Sequence, residues 1–206
     1  MKYPIFHSME QRSEEWYEIR KGKMTASNAQ SIAANGKGLD TYCKKIIAEY
    51  YSGVTDKIEN EHILRGIEYE ETAKQAYEII TGKELYNIGF VQYSDYSGCS
   101  PDALILGEEK GIEIKCPSPA VYLEVLLDNY IDPKYYAQIQ MNMLCCNYKL
   151  WDYVVYNKDF KSKQLTIIEI KRDEDYIEKL KEGLKTGEKT LKELHKKVEE
   201  KIRRAA

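Results

Sequence analysis

A predicted β-hairpin near the middle of the chain constrains the fold more than any other feature. Residues 102–106 read DALIL and residues 111–115 read GIEIK, and the GEEK sequence between them is typical of a tight turn. Alternation along GIEIK puts Glu113 and Lys115 on one face of the strand and two isoleucines on the other. The pattern predicts two neighbouring strands, with Asp102 at the start of the first and Glu113 on the second.

The polar residues of this hairpin suit the hydrolysis of a phosphodiester. A hard divalent cation prefers oxygen ligands, and Asp102, Glu113 and the backbone carbonyl of Ile114 can supply them. The ammonium of Lys115 can hold the attacking water, help it lose a proton and offset negative charge on the phosphate. A lone E-x-K pattern is usually a solvated strand face, so a catalytic interpretation needs support from further residues.

Two predicted helices, one on each side of the hairpin, supply such residues. Glu70 lies on the helix predicted over 60–81 and can point toward the same site. Gln138 and Gln140 follow on the helix predicted over 133–146, among apolar neighbours where buried amides need hydrogen-bond partners. We expect a site that holds water, metal and phosphate to provide those partners.

The remaining periodicities predict an α/β fold, because segments with helical spacing alternate with segments that read as strands. Helices are predicted over 8–20, 25–34, 40–52, 60–81, 119–128, 133–146 and 173–206, and strands over 86–93, 102–106, 111–115, 150–157 and 164–171. The order predicts a single domain over residues 1–206, with a small central mixed sheet flanked by helices. Residues 173–206 form a charged C-terminal helical segment in this interpretation.

Charge and cysteine usage restrict the function classes. The net charge of -3 differs from the basic balance usual for DNA-binding domains, so a DNA enzyme would need a local basic channel. The five cysteines show no C-x-x-C spacing, which argues against structural zinc and iron–sulfur clusters and favours reduced, buried thiols. No signal peptide is evident and no run approaches the roughly 18 apolar residues that span a bilayer, so we expect a cytoplasmic protein without membrane contact.

Several short motifs appear in an order that resembles a known family. The matching pieces are Gln11-Arg12-Ser13 with Trp16, Arg20, Gly22, Thr25-Ala26-Ser27, Gly66, Tyr69-Glu70, Ala73, Ser100-Pro101-Asp102, Glu113-Ile114-Lys115-Cys116-Pro117 and Ala137-Gln138-Ile139-Gln140. The chain resembles the phage-type exonuclease family of lambda exonuclease and the YqaJ viral recombinases, within the PD-(D/E)XK nuclease superfamily. A single motif would be weak, but motifs in register from about residue 11 to residue 140 are specific.

The resemblance implies a restriction-endonuclease-like core and a Mg²⁺-dependent enzyme, with Mn²⁺ able to substitute. It implies 5′-to-3′ digestion of one strand at double-stranded DNA ends by a ring-shaped homotrimer. It also implies phage-type recombination with a single-strand annealing protein, in a bacterial host that carries the phage or prophage. By match, Asp102 and Glu113 resemble the family's metal ligands, and Glu70 resembles the helix carboxylate beside the metal site. Lys115 resembles the residue that activates water, and Gln138 the glutamine that orients the nucleophile or the lysine. Arg20 and Ser27 resemble the residues that grip the phosphate at the strand end.

Other functions remain open at this point. An endonuclease could use the same core, although the chain has no spare length for a sequence-reading module. A catalytically inactive DNA-binding or adaptor protein is a further alternative. Asp102, Glu113, Lys115 and Glu70 are all present, and a decayed site would be expected to have lost at least one of them.

Overall fold

The computed structural model describes residues 4–54 and 61–205, with side chains for all of these except 61–64, 67 and 205. Asn60, the predicted start of one helix, lies outside the described residues. The helices in the described ranges are α1 (Glu14–Arg20), α2 (Ala29–Ala34), α3 (Lys37–Ser52), α4 (Glu61–Thr81), α5 (Pro119–Asp128), α6 (Pro133–Cys146) and α7 (Glu174–Ala205). The strands are β1 (Ile5–His7), β2 (Met24–Thr25), β3 (Leu85–Tyr86), β4 (Phe90–Ser94), β5 (Ser97–Cys99), β6 (Ala103–Ile105), β7 (Lys110–Lys115), β8 (Leu150–Tyr156) and β9 (Leu165–Lys171).

The predicted hairpin lies within a five-stranded mixed sheet of order β3-β6-β7-β8-β9. β6 and β7 are antiparallel, and Ala103 lies opposite Ile112, so the hairpin is confirmed. β7 and β8 are parallel, which requires a long crossover, and α5 and α6 provide it. If the β6–β7 register is continued by one residue, Asp102 falls opposite Glu113. The predicted α/β class, with helices around a small mixed sheet, is confirmed.

A second sheet of four strands, in the order β1-β4-β5-β2, was not predicted. The single strand predicted over 86–93 is wrong, because β3 pairs with β6 in the first sheet whereas β4 pairs with β1 and β5 in the second. The chain crosses between the sheets at Gly89, where a Cβ atom would lie 2.3 Å from the carbonyl oxygen of Met9. Only glycine permits that close approach of two backbones.

The helix predicted over 25–34 is also shorter than expected. Met24 and Thr25 form β2, a 3₁₀ turn spans Ala26–Asn28, and only then does α2 begin. The backbone N–H of Met24 donates to the carbonyl of Tyr96, and β2 pairs with β5. Tertiary pairing therefore overrides the local helical preference at the start of this segment.

The C-terminal helix α7 packs against α2 and α3 on the body of the fold. Gly183 and Gly187 interrupt its apolar stripe in the sequence, but the helix continues through both. A Cβ atom at Gly183 would lie 1.9 Å from the carbonyl oxygen of Ile32, and one at Gly187 would lie 2.4 Å from Sδ of Met24. Gly183 therefore lets α7 approach the backbone of α2 closely, and Gly187 makes room for the Met24 side chain, at the entropic cost of glycine in a helix.

The cysteines agree with the expectation from the sequence. All five cysteines are free and buried, as expected for reduced thiols. Among the helices in residues 4–54 and 61–205, none combines the length and the apolar character that crossing a bilayer requires.

Candidate active site

The catalytic candidates Asp102, Glu113 and Lys115 lie together where β6 meets β7. The Glu113 side chain is 0% exposed, and its Oε1 atom lies 2.5 Å from Nζ of Lys115. The Oδ2 atom of Asp102 accepts a 2.6 Å hydrogen bond from the backbone N–H of Ile114. The hairpin register thus brings together the three side chains that the sequence pattern singled out.

The backbone carbonyl of Ile114 faces the same edge of β7 as Asp102. Within a strand, the N–H and C=O groups of one residue point to the same side, and the N–H of Ile114 points to Asp102. β6 begins only at Ala103, so in the described part of the chain no strand residue pairs with Ile114 on that side. The carbonyl is therefore oriented as a further oxygen donor beside the two carboxylates.

Glu70 lies on α4 at the rim of this site, where two cations hold it. Its Oε2 atom lies 3.1 Å from Nη2 of Arg12, and its Oε1 atom lies 3.0 Å from Nζ of Lys74. Glu70 and Asp102 line the same cavity. The predicted position of Glu70 beside the site is thus observed, whereas its role as a metal ligand stays a prediction.

Burial and charge act strongly on the ionisable groups of the site. Burial raises the pKa of Asp102 well above its usual range, and the negative charges of Glu113 and Glu70 raise it further. Burial also acts to lower the pKa of Lys115, but the charges of Glu113 and Asp102 outweigh it, and the net pKa is raised. Lys115 is therefore an ammonium at neutral pH in this state, which suits the stabilisation of negative charge on a phosphate.

The donor set fits a hard divalent cation. Two carboxylates and a backbone carbonyl are oxygen ligands of the kind that Mg²⁺ accepts. Burial and the neighbouring carboxylates raise the pKa of Asp102, and a bound cation would oppose both effects by favouring the ionised carboxyl group. Within the described residues, no group of three His, Cys, Asp or Glu side chains forms a ready metal cluster. Asp102, Glu113 and the carbonyl of Ile114 are the oxygen donors that would hold a bound cation, together with water.

A cavity of about 680 Å³ opens over these groups. Tyr135 of α6 and Tyr153 of β8 lie in its wall, together with Lys115. Nζ of Lys115 lies 4.9 Å from the ring centroid of Tyr135, and Nζ of Lys134 lies 4.6 Å from the same centroid. Only Lys115 of these two lysines forms an ion pair with Glu113. Two lysines of the cavity therefore contact the same aromatic ring but form ion pairs with different carboxylates.

Helix α6 presents a polar face to the site through Asn142, which the sequence reasoning missed. The Nδ2 atom of Asn142 donates a 2.9 Å hydrogen bond to Oε2 of Glu113, and the residue is 0% exposed. Its Oδ1 atom has no hydrogen-bond partner among the described residues. Gln138 lies one helical turn before Asn142 and three residues after Tyr135, so all three share one helix face. This arrangement supports the predicted place of Gln138 near Lys115 and Glu113.

Gln140, in contrast, does not face the site. Its Nε2 atom donates to the carbonyl of Lys171, and its Oε1 atom accepts from the backbone N–H of Asp173. The expectation that both glutamines serve the site is therefore wrong for Gln140, which ties α6 to the start of α7. A signal for Asn142 was present, because it is a polar residue in an apolar run four positions after Gln138.

Arg20 and Ser27 line a second cavity of about 550 Å³. The Arg20 guanidinium lies 4.0 Å from the ring centroid of Trp16, and its Nη1 atom donates a 2.8 Å hydrogen bond to Oγ of Ser100. Burial lowers the pKa of Arg20, although guanidinium stays charged in proteins. Three further lysines and two glutamates line this cavity: Lys21, Lys23, Lys45, Glu18 and Glu49. The local excess of cations is the feature that an overall net charge of -3 does not reveal.

Ser100 links the two cavities. Its hydroxyl also accepts a 3.0 Å hydrogen bond from Nε1 of Trp16, and Asp102 follows two residues later on the same extended segment. Ser27 also lines the second cavity, and its Oγ atom lies 3.2 Å from Oγ1 of Thr25. The structure therefore places the Arg20 cavity beside the Asp102 site, although these residues are far apart in sequence.

Comparisons with known proteins agree with this geometry. Residues 15–149 match the family model of the YqaJ-like viral recombinase domain. The structure is similar to that of an alkaline exonuclease from Laribacter hongkongensis, with a TM-score of 0.86 and 27% sequence identity over 94% of this chain and 100% of that chain. The same enzyme in complex with dAMP gives a TM-score of 0.85, 28% identity and the same coverage.

A phage-related exonuclease from Haemophilus somnus is similar in fold. It gives a TM-score of 0.64 at 16% identity, over 85% of this chain and 96% of that chain. No curated protein sequence matches this chain.

Proposed function

The chain belongs to the YqaJ-like viral recombinase family, and from that premise we propose a Mg²⁺-dependent exonuclease that digests linear double-stranded DNA in recombination. The observation that carries the proposal is the Asp102–Glu113–Lys115 site, which lies on a buried hairpin beneath an open cavity. The overall similarity to an alkaline exonuclease supports the same conclusion.

Asp102, Glu113 and the carbonyl of Ile114 would hold Mg²⁺, and Mn²⁺ can substitute because both accept oxygen ligands. Such a cation supplies charge neutralisation and a more acidic water when it is bound. Glu70 is a further candidate ligand through water or directly, once it leaves its ion pairs with Arg12 and Lys74. This assignment predicts that chelators abolish activity.

The protein's own side chains then position the reacting groups and stabilise the negative charge that develops on the phosphate. The ammonium of Lys115, held by Glu113, donates to the phosphate oxygens as negative charge builds up on them. Asn142 keeps the Glu113 carboxylate in one orientation through its 2.9 Å hydrogen bond. Gln138, on the same helix face, orients the attacking water or the lysine. Charge-assisted hydrogen bonds of this kind discriminate between ground state and transition state because they act where charge develops.

Arg20 and Ser27 would hold the terminal phosphate of the strand that is cut. A guanidinium can fork onto a phosphate, and the hydrogen bond from Arg20 to Ser100 orients it toward the segment that carries Asp102. Since only one residue separates Ser100 from Asp102, the terminal phosphate and the scissile phosphate would be neighbours on one strand. The expected product is therefore a mononucleotide. The similarity to an exonuclease structure that contains dAMP supports this product.

Polarity and assembly rest on the family resemblance. We propose 5′-to-3′ digestion, with the Arg20 cavity receiving a 5′-phosphate. We also propose a ring-shaped homotrimer and a single-strand annealing protein as partner, in the cytoplasm of a bacterial host that carries the phage or prophage. Sedimentation of the purified chain tests the trimer independently of activity.

Digestion of end-labelled DNA tests the proposed function. Linear duplex labelled separately at its 5′ and 3′ ends is incubated with Mg²⁺ or with EDTA, beside a closed circular plasmid. Release of 5′-terminal mononucleotides with Mg²⁺, and an intact circle, is the expected result. Cutting of the circle would favour an endonuclease on the same core. No Mg²⁺-dependent loss of either substrate would leave a DNA-binding or adaptor role.

A further inference from the structure

A third cavity, of about 440 Å³, lies next to the catalytic cavity and has no role in the mechanism above. The two cavities share Cys116 and Pro117 as a common wall. Arg65 and Tyr69 on α4 and Lys158 on the loop after β8 also line the third cavity. We call this cavity the Arg65 groove. Its position beside the end of β7 makes it a neighbour of the reacting groups.

Two cations of the groove are available for an anionic ligand. The Nη1 atom of Arg65 is buried and has no hydrogen-bond partner among the described residues. An unpaired buried donor is unfavourable, so a ligand that accepts from it gains more than a ligand at a solvated arginine. Nζ of Lys158 lies 5.0 Å from the ring centroid of Tyr69 and is held over its face. The groove thus presents a planar guanidinium, from Arg65, and an ammonium, from Lys158, to a ligand.

Two acidic residues of the groove lie near these cations. Glu68 and Asp159 also line it, but within the described chain neither forms an ion pair with Arg65 or Lys158. The backbone N–H of Asp159 instead donates to Oδ1 of Asn157, which shapes the loop. Asn157 in turn donates from Nδ2 to the carbonyl of Pro117, so the loop is fixed to the shared wall. Lys158 is therefore carried by a loop that is anchored at the catalytic cavity.

The three cavities are connected through neighbouring or shared residues. Arg20 of the second cavity donates to Ser100, two residues before Asp102 of the catalytic cavity, and Cys116 and Pro117 line both the catalytic cavity and the Arg65 groove. A strand with its terminal phosphate at Arg20 and its next phosphate at Asp102 must continue away from both. The groove beyond Cys116 offers cations along such a continuation. Backbone phosphates need cations at successive positions.

We propose that the Arg65 groove binds a backbone phosphate of the strand that is being digested, on the side of the scissile phosphate opposite the strand terminus. Arg65 forks onto the phosphate and Lys158 supplies the second positive charge. The inference rests on the proposed exonuclease function and extends it by naming where the DNA that remains after each cut is held. Contacts there bind DNA between successive cuts, so they act on affinity and processivity more than on the chemical step.

Charge-removing variants test the groove. Lys158→Ala and Arg65→Gln each remove one phosphate contact, and Lys161→Ala is the matched control because it removes an exposed lysine of the same loop that lies outside the groove. Binding of linear duplex is measured in EDTA over a range of salt concentrations. Each groove variant is expected to weaken binding about tenfold and to reduce the slope of log K against log salt by about one, whereas Lys161→Ala matches the wild type.

Steady-state digestion supplies the second readout. The groove variants are expected to raise KM and shorten the processive run, with kcat at saturating DNA close to that of the wild type. If the wild type digests DNA and both groove variants match Lys161→Ala in KM and salt slope, the groove assignment is overturned while the exonuclease stands. If the wild type digests no DNA, the proposed function itself fails.

A free nucleotide is the other source of the same phosphate chemistry. If Lys158→Ala leaves duplex binding unchanged but abolishes inhibition by added dAMP, the groove holds the released product, and the strand assignment is overturned. Because Lys158 is exposed, its variant should fold even if Arg65→Gln does not. Equal thermal melting of wild type and Lys158→Ala confirms that the comparison concerns binding alone.

Discussion

Replacement of Asn142 by aspartate changes one atom of a buried hydrogen bond and thereby tests how the site is held together. In the wild type, Nδ2 of Asn142 donates to Oε2 of Glu113 at 2.9 Å, and both side chains are 0% exposed. The substitution removes the donor and introduces a second carboxyl group against Glu113. The shape of the side chain is nearly unchanged, so any large effect comes from electrostatics.

The expected loss of stability combines two contributions. A hydrogen bond to a charged acceptor contributes about 1.5–3 kcal/mol, and an uncompensated buried charge costs about 3–5 kcal/mol. Because these contributions overlap, Asn142→Asp is expected to lower the free energy of unfolding by about 3–5 kcal/mol at neutral pH. For a chain of this length, that corresponds to a fall in Tm of roughly 6–20 °C.

The penalty should depend on pH with a definite sign. Burial and the charge of Glu113 raise the pKa of the introduced carboxyl above its value in the unfolded chain. A group of this kind contributes its full stability below the unfolded pKa and loses it as the pH rises through the folded pKa. The difference from the wild type should therefore be small near pH ~4 and large near pH ~8.

Urea unfolding in EDTA at both pH values measures this difference. Asn87→Asp is the matched control, because it makes the same chemical change at an exposed residue that already bonds Lys74. That control should stay within about 0.5 kcal/mol of the wild type. If Asn142→Asp is as stable as the wild type at the higher pH, Asn142 does not hold Glu113 in a water-excluded site, and the reasoning fails.

Three further changes have expected outcomes that follow from single contacts. Arg20→Ala should reduce the preference for 5′-phosphorylated over 5′-hydroxyl ends by roughly tenfold or more, since it removes a charge-assisted contact; competition between the two ends in one digestion measures this. Asp102→Asn should raise the Tm of the metal-free protein by a few degrees near pH ~8 and leave it unchanged near pH ~4, because burial and Glu113 raise the pKa of Asp102 in the folded state; a lower Tm at the higher pH would refute that sign. Gly183→Ala should destabilise the fold by about 1–3 kcal/mol or more, because the new Cβ would meet the Ile32 carbonyl; thermal melting with unchanged stability would show that α7 can shift away.

The hairpin could be predicted from the sequence because its information is local. Alternation in GIEIK placed Glu113 and Lys115 on one face, and a short turn placed Asp102 opposite them. The α/β class followed from the change of period along the chain. These features depend on neighbours within about a dozen residues, where pattern and structure agree.

The second sheet could not be predicted in the same way. Its strands β2 and β5 are only two and three residues long, and β2 pairs with a strand that lies some seventy residues later in the chain. Segments this short carry no periodic signal, so distant pairing decides their conformation. The passage through Gly89 illustrates the point, because only the position of Met9 shows why a strand must end there.

The sequence indicated which residues belong to the site better than it indicated their hydrogen-bond partners. Gln138 and Gln140 looked equivalent in the sequence, yet Gln140 bonds the start of α7 while Asn142 bonds Glu113. Helical spacing could have indicated Asn142, since it shares a face with Gln138. That Nη1 of Arg65 has no hydrogen-bond partner among the described residues can be seen only in the three-dimensional structure.

The most direct test of the central claim is single-turnover digestion of 5′-phosphorylated linear duplex by the wild type, Lys115→Ala and Lys134→Ala with Mg²⁺. Both lysines contact the ring of Tyr135, but only Lys115 pairs with Glu113. Lys115→Ala is expected to bind the duplex with similar affinity and to release mononucleotides at least about 100-fold more slowly, whereas Lys134→Ala stays within a few-fold of the wild type. Equal rates for Lys115→Ala and the wild type, or no Mg²⁺-dependent release by the wild type, would contradict the assignment of this site.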